Sequence, residues 1–274
     1  LPKNVILGAG LFLLLLMMAL FAPCFSNFFK IDPQAVNMQE RLEGISWRHP
    51  MGTDQLGRDC ATRILYAART SLVATVTVVL ASLLIGVILG GLAGYCGGVV
   101  DDLLMRLVDI MMAFPSFIIA IAVTGLLGAS TGNMILALLV TSWVGYARMM
   151  RGSVLTLKNI TYVEAARAMG SGRLNTLVRH ILPNAIHPLL VYATFNASHT
   201  LLAISGLSFL GLGAPPPTPE WGAMLNEASA FMGYAPHLFI FPGLMIMLTV
   251  LGFNLIGDGL RDFLDPRLKQ EVDL

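Results

Sequence analysis

Several stretches of this chain stay apolar for about the 20 residues that a helix needs to cross a bilayer, and this constrains the fold more than any other feature. Six such stretches are read, at 5–25, 71–95, 103–127, 134–155, 185–207 and 238–260. Composition agrees: 56% of residues are hydrophobic, 12% are charged, and mean hydropathy is +0.75. Soluble domains carry about 25% charged residues. So much apolar surface cannot be hidden in one soluble core, and the expectation is an all-α integral membrane protein with six transmembrane helices. The stretch at 103–127 holds Arg106, Asp109 and Pro115, so its first part is expected in the cytoplasm or along a polar gap. The chain opens on Leu1 rather than Met, and a short N-terminal piece is expected to precede it. A cleaved signal peptide is the other reading of the first stretch. Pro23 just before Cys24, and the length of the apolar run, argue against it.

Six spans put both termini on one side. With the N-terminus inside, the inner segments carry Lys3, Arg106, Arg148, Arg151, Lys158, Arg167, Arg173, Arg179, Arg261, Arg267 and Lys269. The outer cations Lys30, Arg41, Arg48, Arg58, Arg63 and Arg69 all lie in one long loop, which counts less in orientation. The excess favours N-in, C-in. The organisation is then a first transmembrane helix at 1–25, an extracytoplasmic loop at 26–70, and a core domain at 71–274 with five spans and a cytoplasmic loop at 156–184. Gly86, Gly90 and Gly94 form a small-xxx-small stripe, a face on which two membrane helices approach closely.

The cytoplasmic loop contains "EAARAMGSGRLNTLVRHILP". Thr161 followed by Glu164 reads as a capping box, with a helix from Tyr162 to Met169. Gly170 and Gly172 are expected to stop it. A second helix, 173–182, should end at Pro183. Ala165, Ala166, Ala168 and Met169 would let the first helix lie close against another surface. Physics alone favours the plainer reading, an ordinary basic hairpin near lipid head groups.

The pattern Glu164-Ala165-Ala166, Gly170, Leu182-Pro183 resembles the EAA loop of ABC-importer membrane subunits. The family's usual isoleucine two places before that leucine is His180 here, with Ile181 next to it. Further segments carry the resemblance along nearly the whole chain: "MGTDQLGRDCATRILYAARTSL", "AGYCGGVVDDLLMRLVDIMMAFPS", "GLSFLGLGAPPPTPEWGAML" and "FNLIGDGLRDFLDPR". Together they are similar to the dipeptide/oligopeptide/nickel permease family, and within it to the C-type subunit of a heterodimeric channel. The resemblance implies a type I importer fold in a bacterial inner membrane. It implies that a coupling helix, involving Thr161, Tyr162, Glu164, Ala165, Ala166, Met169, Gly170, Leu182 and Pro183, docks on a separate ATPase. The implied partners are a second homologous permease, two ATP-binding subunits, an extracytoplasmic solute-binding protein and lipid. The chain would bind no cofactor, with ATP and magnesium held by the partner subunits. It has no GxxxxGK[ST] phosphate loop, as suits a permease that borrows its ATPase.

Other constellations weigh less. Asp54, Arg58 and Asp59 read as a local salt-bridged turn. Asp102 and Arg106 are spaced to pair on one helix face, with Asp101 and Asp109 beside them, and Asp258 with Arg261 repeats this at the last inner end, near Asp265 and Arg267. Asn196, His199 and Thr200 lie at mid-depth in the fifth span, with Ser198 and Ser205. They either bond between helices or line a path. His199 tilts the cargo toward nickel or a metal chelate, against a di- or oligopeptide. A proton-coupled secondary transporter would use Asp101, Asp109 or Asp258, but no repeat relates 1–137 to 138–274. The five histidines form no HExxH pattern, Cys24, Cys60 and Cys96 have no metal-ligand spacing, and a net charge of +1 implies no nucleic-acid partner. No catalytic or metal-binding residue is assigned.

Overall fold

The computed structural model describes residues 3–29 and 32–264. Its elements are α1 (Lys3–Phe29), α2 (Cys60–Cys96), α3 (Gly98–Met112), α4 (Ser116–Leu127), α5 (Thr131–Leu157), α6 (Thr161–Ala168), α7 (Arg173–Thr176), α8 (Leu182–Ala185), α9 (His187–Phe209), α10 (Trp221–Ser229) and α11 (His237–Leu264). A 3-10 turn covers Met38–Glu40 and a π turn covers Leu177–Ile181. Helix is the natural outcome here, because it satisfies its own backbone groups where no water can. The fold is all-helical among the described residues. Three helices, α1, α2 and α11, are by themselves long and apolar enough to cross a membrane.

The stretch read as a straight third span is broken. α3 and α4 meet at 84°. Pro115 follows the end of α3, and its ring disfavours helical angles at Phe114. The concave side of this bend faces α5 and α9 and becomes part of a cavity.

The glycine stripe is a packing face. α2 makes its most extensive contact with α5. A Cβ at Gly86 would run into Tyr146, one at Gly90 into the Ala147 carbonyl, and one at Gly94 would lie 2.9 Å from the Arg151 carbonyl oxygen. Nothing larger than hydrogen fits between these two backbones. Two further helix contacts are made in the same way: Gly8 of α1 against Leu255 of α11, and Gly222 of α10 against the backbone of Ser205 in α9.

One end of the bundle is capped by residues 32–59 and α10. The expected salt-bridged turn is present, with Arg58 Nε donating to Asp54 at 2.6 Å. It is part of something larger. Arg58 and Arg63 both donate to Glu227 of α10, at 2.7 and 3.0 Å. Asp59 caps α2 by accepting from the Thr62 amide at 2.7 Å, and also pairs with His49 at 2.9 Å. Arg58, Arg63, Asp54 and Asp59 are all buried. Breaking such a pair from one side costs about 3–5 kcal/mol, because a charge is left without its partner. Beside this cluster Glu220 is wholly buried at the start of α10. It accepts from the Ala223 amide and from Ser71 Oγ, each at 2.9 Å, and forms no ion pair among the described residues. Burial pushes its carboxyl above the ordinary value of 4.5, while hydrogen bonds from Ala223, Gly222, Ser208 and Ser71 pull the other way.

Two outcomes follow. Gly90→Leu should destabilise the protein by about 1–3 kcal/mol or more through overpacking. Gly125→Ala, where a Cβ meets nothing within 4 Å, should be neutral or stabilising by up to about 1 kcal/mol. Thermal unfolding in detergent checks both. For Glu220 the folded state keeps its proton to a higher pH than the unfolded chain. Its contribution is therefore largest below 4.5 and is lost as pH rises through the elevated folded value. Unfolding midpoints of Glu220→Gln should lack that component of pH dependence, which the native protein should show.

Candidate functional site

The opposite end of the bundle presents α6 to α8. α6 buries Val163 against Met150 and Val154 of α5 and against Leu177 and Ile181, and Ala166 is buried on the same helix. Its other side is open. Glu164 and Ala165 are exposed, Met169 is 82% exposed, and Leu174 on α7 is 74% exposed. Tyr162 is tied down by its hydroxyl, which donates to the His180 carbonyl at 3.1 Å and accepts from Asn184 at 3.2 Å. A short helix is thus held from behind and offers small and apolar side chains outward.

The stop after α6 is as expected at Gly170 and not at Gly172. Gly170 has φ +85°. Its amide bonds the Arg167 carbonyl at 3.0 Å, and the Ser171 amide bonds Ala166 at 3.0 Å, which is a Schellman motif. Gly172 is instead the extended N-cap of α7. The capping box is not made. The N-cap is Ile160, with no side-chain cap bond, and Thr161 is already helical. The chain reverses tightly after α5, with the Ile160 amide bonded to Leu157, so helical angles begin one residue earlier than the motif requires.

The second helix does not end at Pro183. After α7 comes the π turn, closed by the Leu182 amide on the Leu177 carbonyl, then α8, with Pro183 in its first turn where no amide bond is needed. A π turn holds one residue more than an α turn. Ile181 therefore takes the wholly buried place, and His180 is left half-buried. Leu182 also packs inward, while Pro183 is exposed.

Charges near this end are paired between helices rather than along one. Asp101 receives two bonds from Arg151, at 2.5 and 2.7 Å, and Asp109 pairs with Arg148. Asp101 and Asp109 sit about two turns apart, on the side of α3 that meets α5. The expected Asp102–Arg106 pair is not among the ion pairs of the described residues, and both side chains are exposed. Asp258 and Arg261 also make no ion pair among the described residues. Asp265, Arg267 and Lys269 lie outside them.

The third feature is a cavity of about 320 Å³ in the bend of α3 and α4. Asn196, His199, Thr200 and Tyr192 of α9 line it, with Thr141 and Ser142 of α5 and the apolar Met111, Phe114 and Phe117. No Asp, Glu, Lys or Arg lines it. The polar set expected in the fifth span therefore divides. Asn196, His199 and Thr200 face the cavity, whereas Ser198 bonds across to Asn254 of α11 at 3.0 Å. Thr200 donates to Asn196 at 3.3 Å. Sequence reading missed Tyr192, Thr141 and Ser142, since isolated hydroxyls in apolar helices carry no spacing signal. It also missed Glu227 and Arg63 in the cap, which are partnered through the fold.

Apolar helices around a polar cavity lined by no Asp, Glu, Lys or Arg, with an exposed helical loop at one end, fit a membrane transport component. The chain belongs to the family described as "Binding-protein-dependent transport system inner membrane component", whose profile matches residues 86–270. It is 46% identical over 276 residues to the glutathione transport system permease protein GsiD of Pectobacterium atrosepticum, covering 98% of this chain and 89% of that protein. It is 45% identical over 273 residues to the GsiD proteins of Escherichia coli O6:K15:H31 and Shigella boydii serotype 4, covering 97% of this chain and 88% of each. It is an inner-membrane permease component of the peptide/nickel type and performs no catalysis of its own.

The geometry of the loop gives a stability prediction. Gly170→Ala should cost about 1–2 kcal/mol, the penalty for a side chain in left-handed backbone. Glu164→Ala should change stability by less than about 0.5 kcal/mol, since Glu164 makes no cap. Chemical unfolding of the two variants distinguishes this from the capping-box expectation, under which Glu164 would matter more.

Proposed function

We propose that this chain is one of two related permeases in an ATP-driven importer of small peptides of the glutathione kind. The observation that carries the reading is the outward face of α6, braced by Tyr162 and α5 and covered by none of the described residues. It fits a coupling helix that docks on an ATP-binding subunit through Glu164, Ala165, Met169 and Gly170. In this reading α1, α2, the bent α3–α4 pair, α5, α9 and α11 are the six spans. α5 and α9, with 27 and 23 residues, are long enough for a hydrocarbon core of about 30 Å at about 1.5 Å per residue. Both termini and the α6 loop lie in the cytoplasm. The cap of residues 32–59 and α10 lies outside, facing the solute-binding protein. Two ATP-binding subunits supply ATP, magnesium and hydrolysis.

The peptide cargo is favoured over nickel for two reasons. The relatives named above are glutathione permeases. The cavity offers hydroxyl, amide and imidazole groups, which suit the amides and carboxylates of a small peptide. A metal cargo would find one imidazole, His199, and the thioethers of Met111 and Met112 in that lining, with no carboxylate or thiolate.

Three measurements test this. Glu164→Ala combined with Gly170→Asp should leave the permease in the membrane and lower transport and substrate-stimulated ATP hydrolysis of the reconstituted complex. Normal rates would remove the coupling role. A cysteine at Asn175 should be labelled only from the cytoplasm, and one at Gln39 only from outside. The reverse would place the loop beyond reach of any ATPase. Glutathione or dipeptide uptake with no nickel uptake is the expected cargo result, and nickel uptake alone would overturn it.

A further inference from the structure

A second cavity, of about 590 Å³, opens between the C-terminal end of α2 and the turn joining α6 to α7. Its lining divides by chemistry. Arg167, Arg173 and Ser171 supply polar groups, and Leu92, Leu174 and Leu177 supply an apolar wall. The arginines are not neutralised. Arg151, Arg148 and Lys158 nearby are spent on Asp101, Asp109 and the Gly94 carbonyl. Arg167 and Arg173 have no carboxylate partner among the described residues, and Arg167 instead lies over the Tyr95 ring at 5.6 Å. Stacking of this kind holds a guanidinium in place while leaving its N–H groups free. The Ser171 hydroxyl accepts from Asn175 at 2.9 Å and Thr176 at 3.2 Å, so its own proton is available to a further acceptor.

The apolar wall continues along α2. Leu80, Leu84, Ile88 and Leu92 recur every four residues, and all four are exposed. They make one ridge along the helix, which ends at the cavity. A basic pocket at the foot of an exposed apolar ridge matches a molecule with an anionic head and a hydrocarbon tail.

We propose that this cavity binds an anionic glycerophospholipid. The phosphate is held by Arg167, Arg173 and the Ser171 hydroxyl, and an acyl chain lies along the Leu80–Leu92 ridge of α2. Basic pockets between membrane helices select anionic head groups on this principle, and two arginines correspond to about thirtyfold preference over a zwitterionic lipid. The lipid would fill the gap behind the α6–α7 turn and so brace the loop from the membrane side. The inference rests on the orientation proposed above only for assigning the lipid to the cytoplasmic leaflet.

Cys96 lines the same cavity and is exposed, which provides a direct readout. The complete transporter is placed in nanodiscs of phosphatidylcholine, with or without phosphatidylglycerol. Maleimide labelling of Cys96 is followed by peptide mass spectrometry, with exposed Cys24, which does not line this cavity, as internal reference. Nanodiscs carry the anionic lipid in both leaflets, so the result does not depend on orientation, which the Asn175 labelling reads separately. Phosphatidylglycerol should slow Cys96 labelling several-fold relative to Cys24. Inorganic phosphate added to phosphatidylcholine discs should not. Arg167→Gln with Arg173→Gln should abolish the protection, while Arg179→Gln, an exposed cation outside the cavity, should retain it. The proposal is overturned by equal labelling in both lipids, by protection that survives the double variant, or by equal protection from inorganic phosphate, which would make this a site for a soluble anion.

Discussion

The contact between α2 and α5 is the constraint on which the rest depends. Lipid tails are as apolar as leucine, so burial alone gives two membrane helices little reason to associate. Close backbone approach supplies the reason through dispersion and exclusion of lipid. At Gly86, Gly90 and Gly94 the α2 backbone lies directly on Tyr146, Ala147 and Arg151. α5 is thereby fixed along about two turns. Three of the features described above are attached to it. Thr141 and Ser142 line the cavity, Arg148 and Arg151 hold α3, and Met150 and Val154 support α6.

Charge is used differently at the two ends. In the cap, Arg58 and Arg63 are removed from solvent and paired with Asp54 and Glu227, while Arg63 Nε and Nη1 make no hydrogen bond among the described residues. Burial makes each pair expensive to break, so the cap and α10 behave as one piece. At the α6 end the pairs are more exposed. Arg148 and Asp109 both face solvent, and such a pair contributes little to stability. It sets the register of α3 against α5 instead.

The cavity between them has hydrogen-bonding groups but no fixed charge. An unpaired charge there would be costly to keep away from water. It would also bind an oppositely charged cargo too firmly to release. Hydroxyl, amide and imidazole groups can be met in turn by the cargo and by water. In the proposed reading the choice of cargo is made at the solute-binding protein.

The sequence by itself determined the helical class, the place of α1, α5, α9 and α11 to within a few residues, the glycine face of α2 and the turn at Gly170. These are legible because each depends on a local period or on one residue's backbone freedom. α2 instead begins at Cys60, inside the stretch read as the loop 26–70, because the Asp59 cap starts the helix well before its apolar run. What only the tertiary structure decided is who faces whom. Asp102 and Arg106 have the spacing of a pair, yet Asp101 and Asp109 are the residues turned toward α5, and rotation about a helix axis is set by the neighbouring helix. Thr161 has the motif of a cap, yet the tight exit from α5 starts the helix one residue early. The 84° break between α3 and α4 turns one apolar run into the wall of a cavity. Glu227 finds Arg58 at a separation of 169 residues, and no local pattern can report a contact that exists only when distant helices pack.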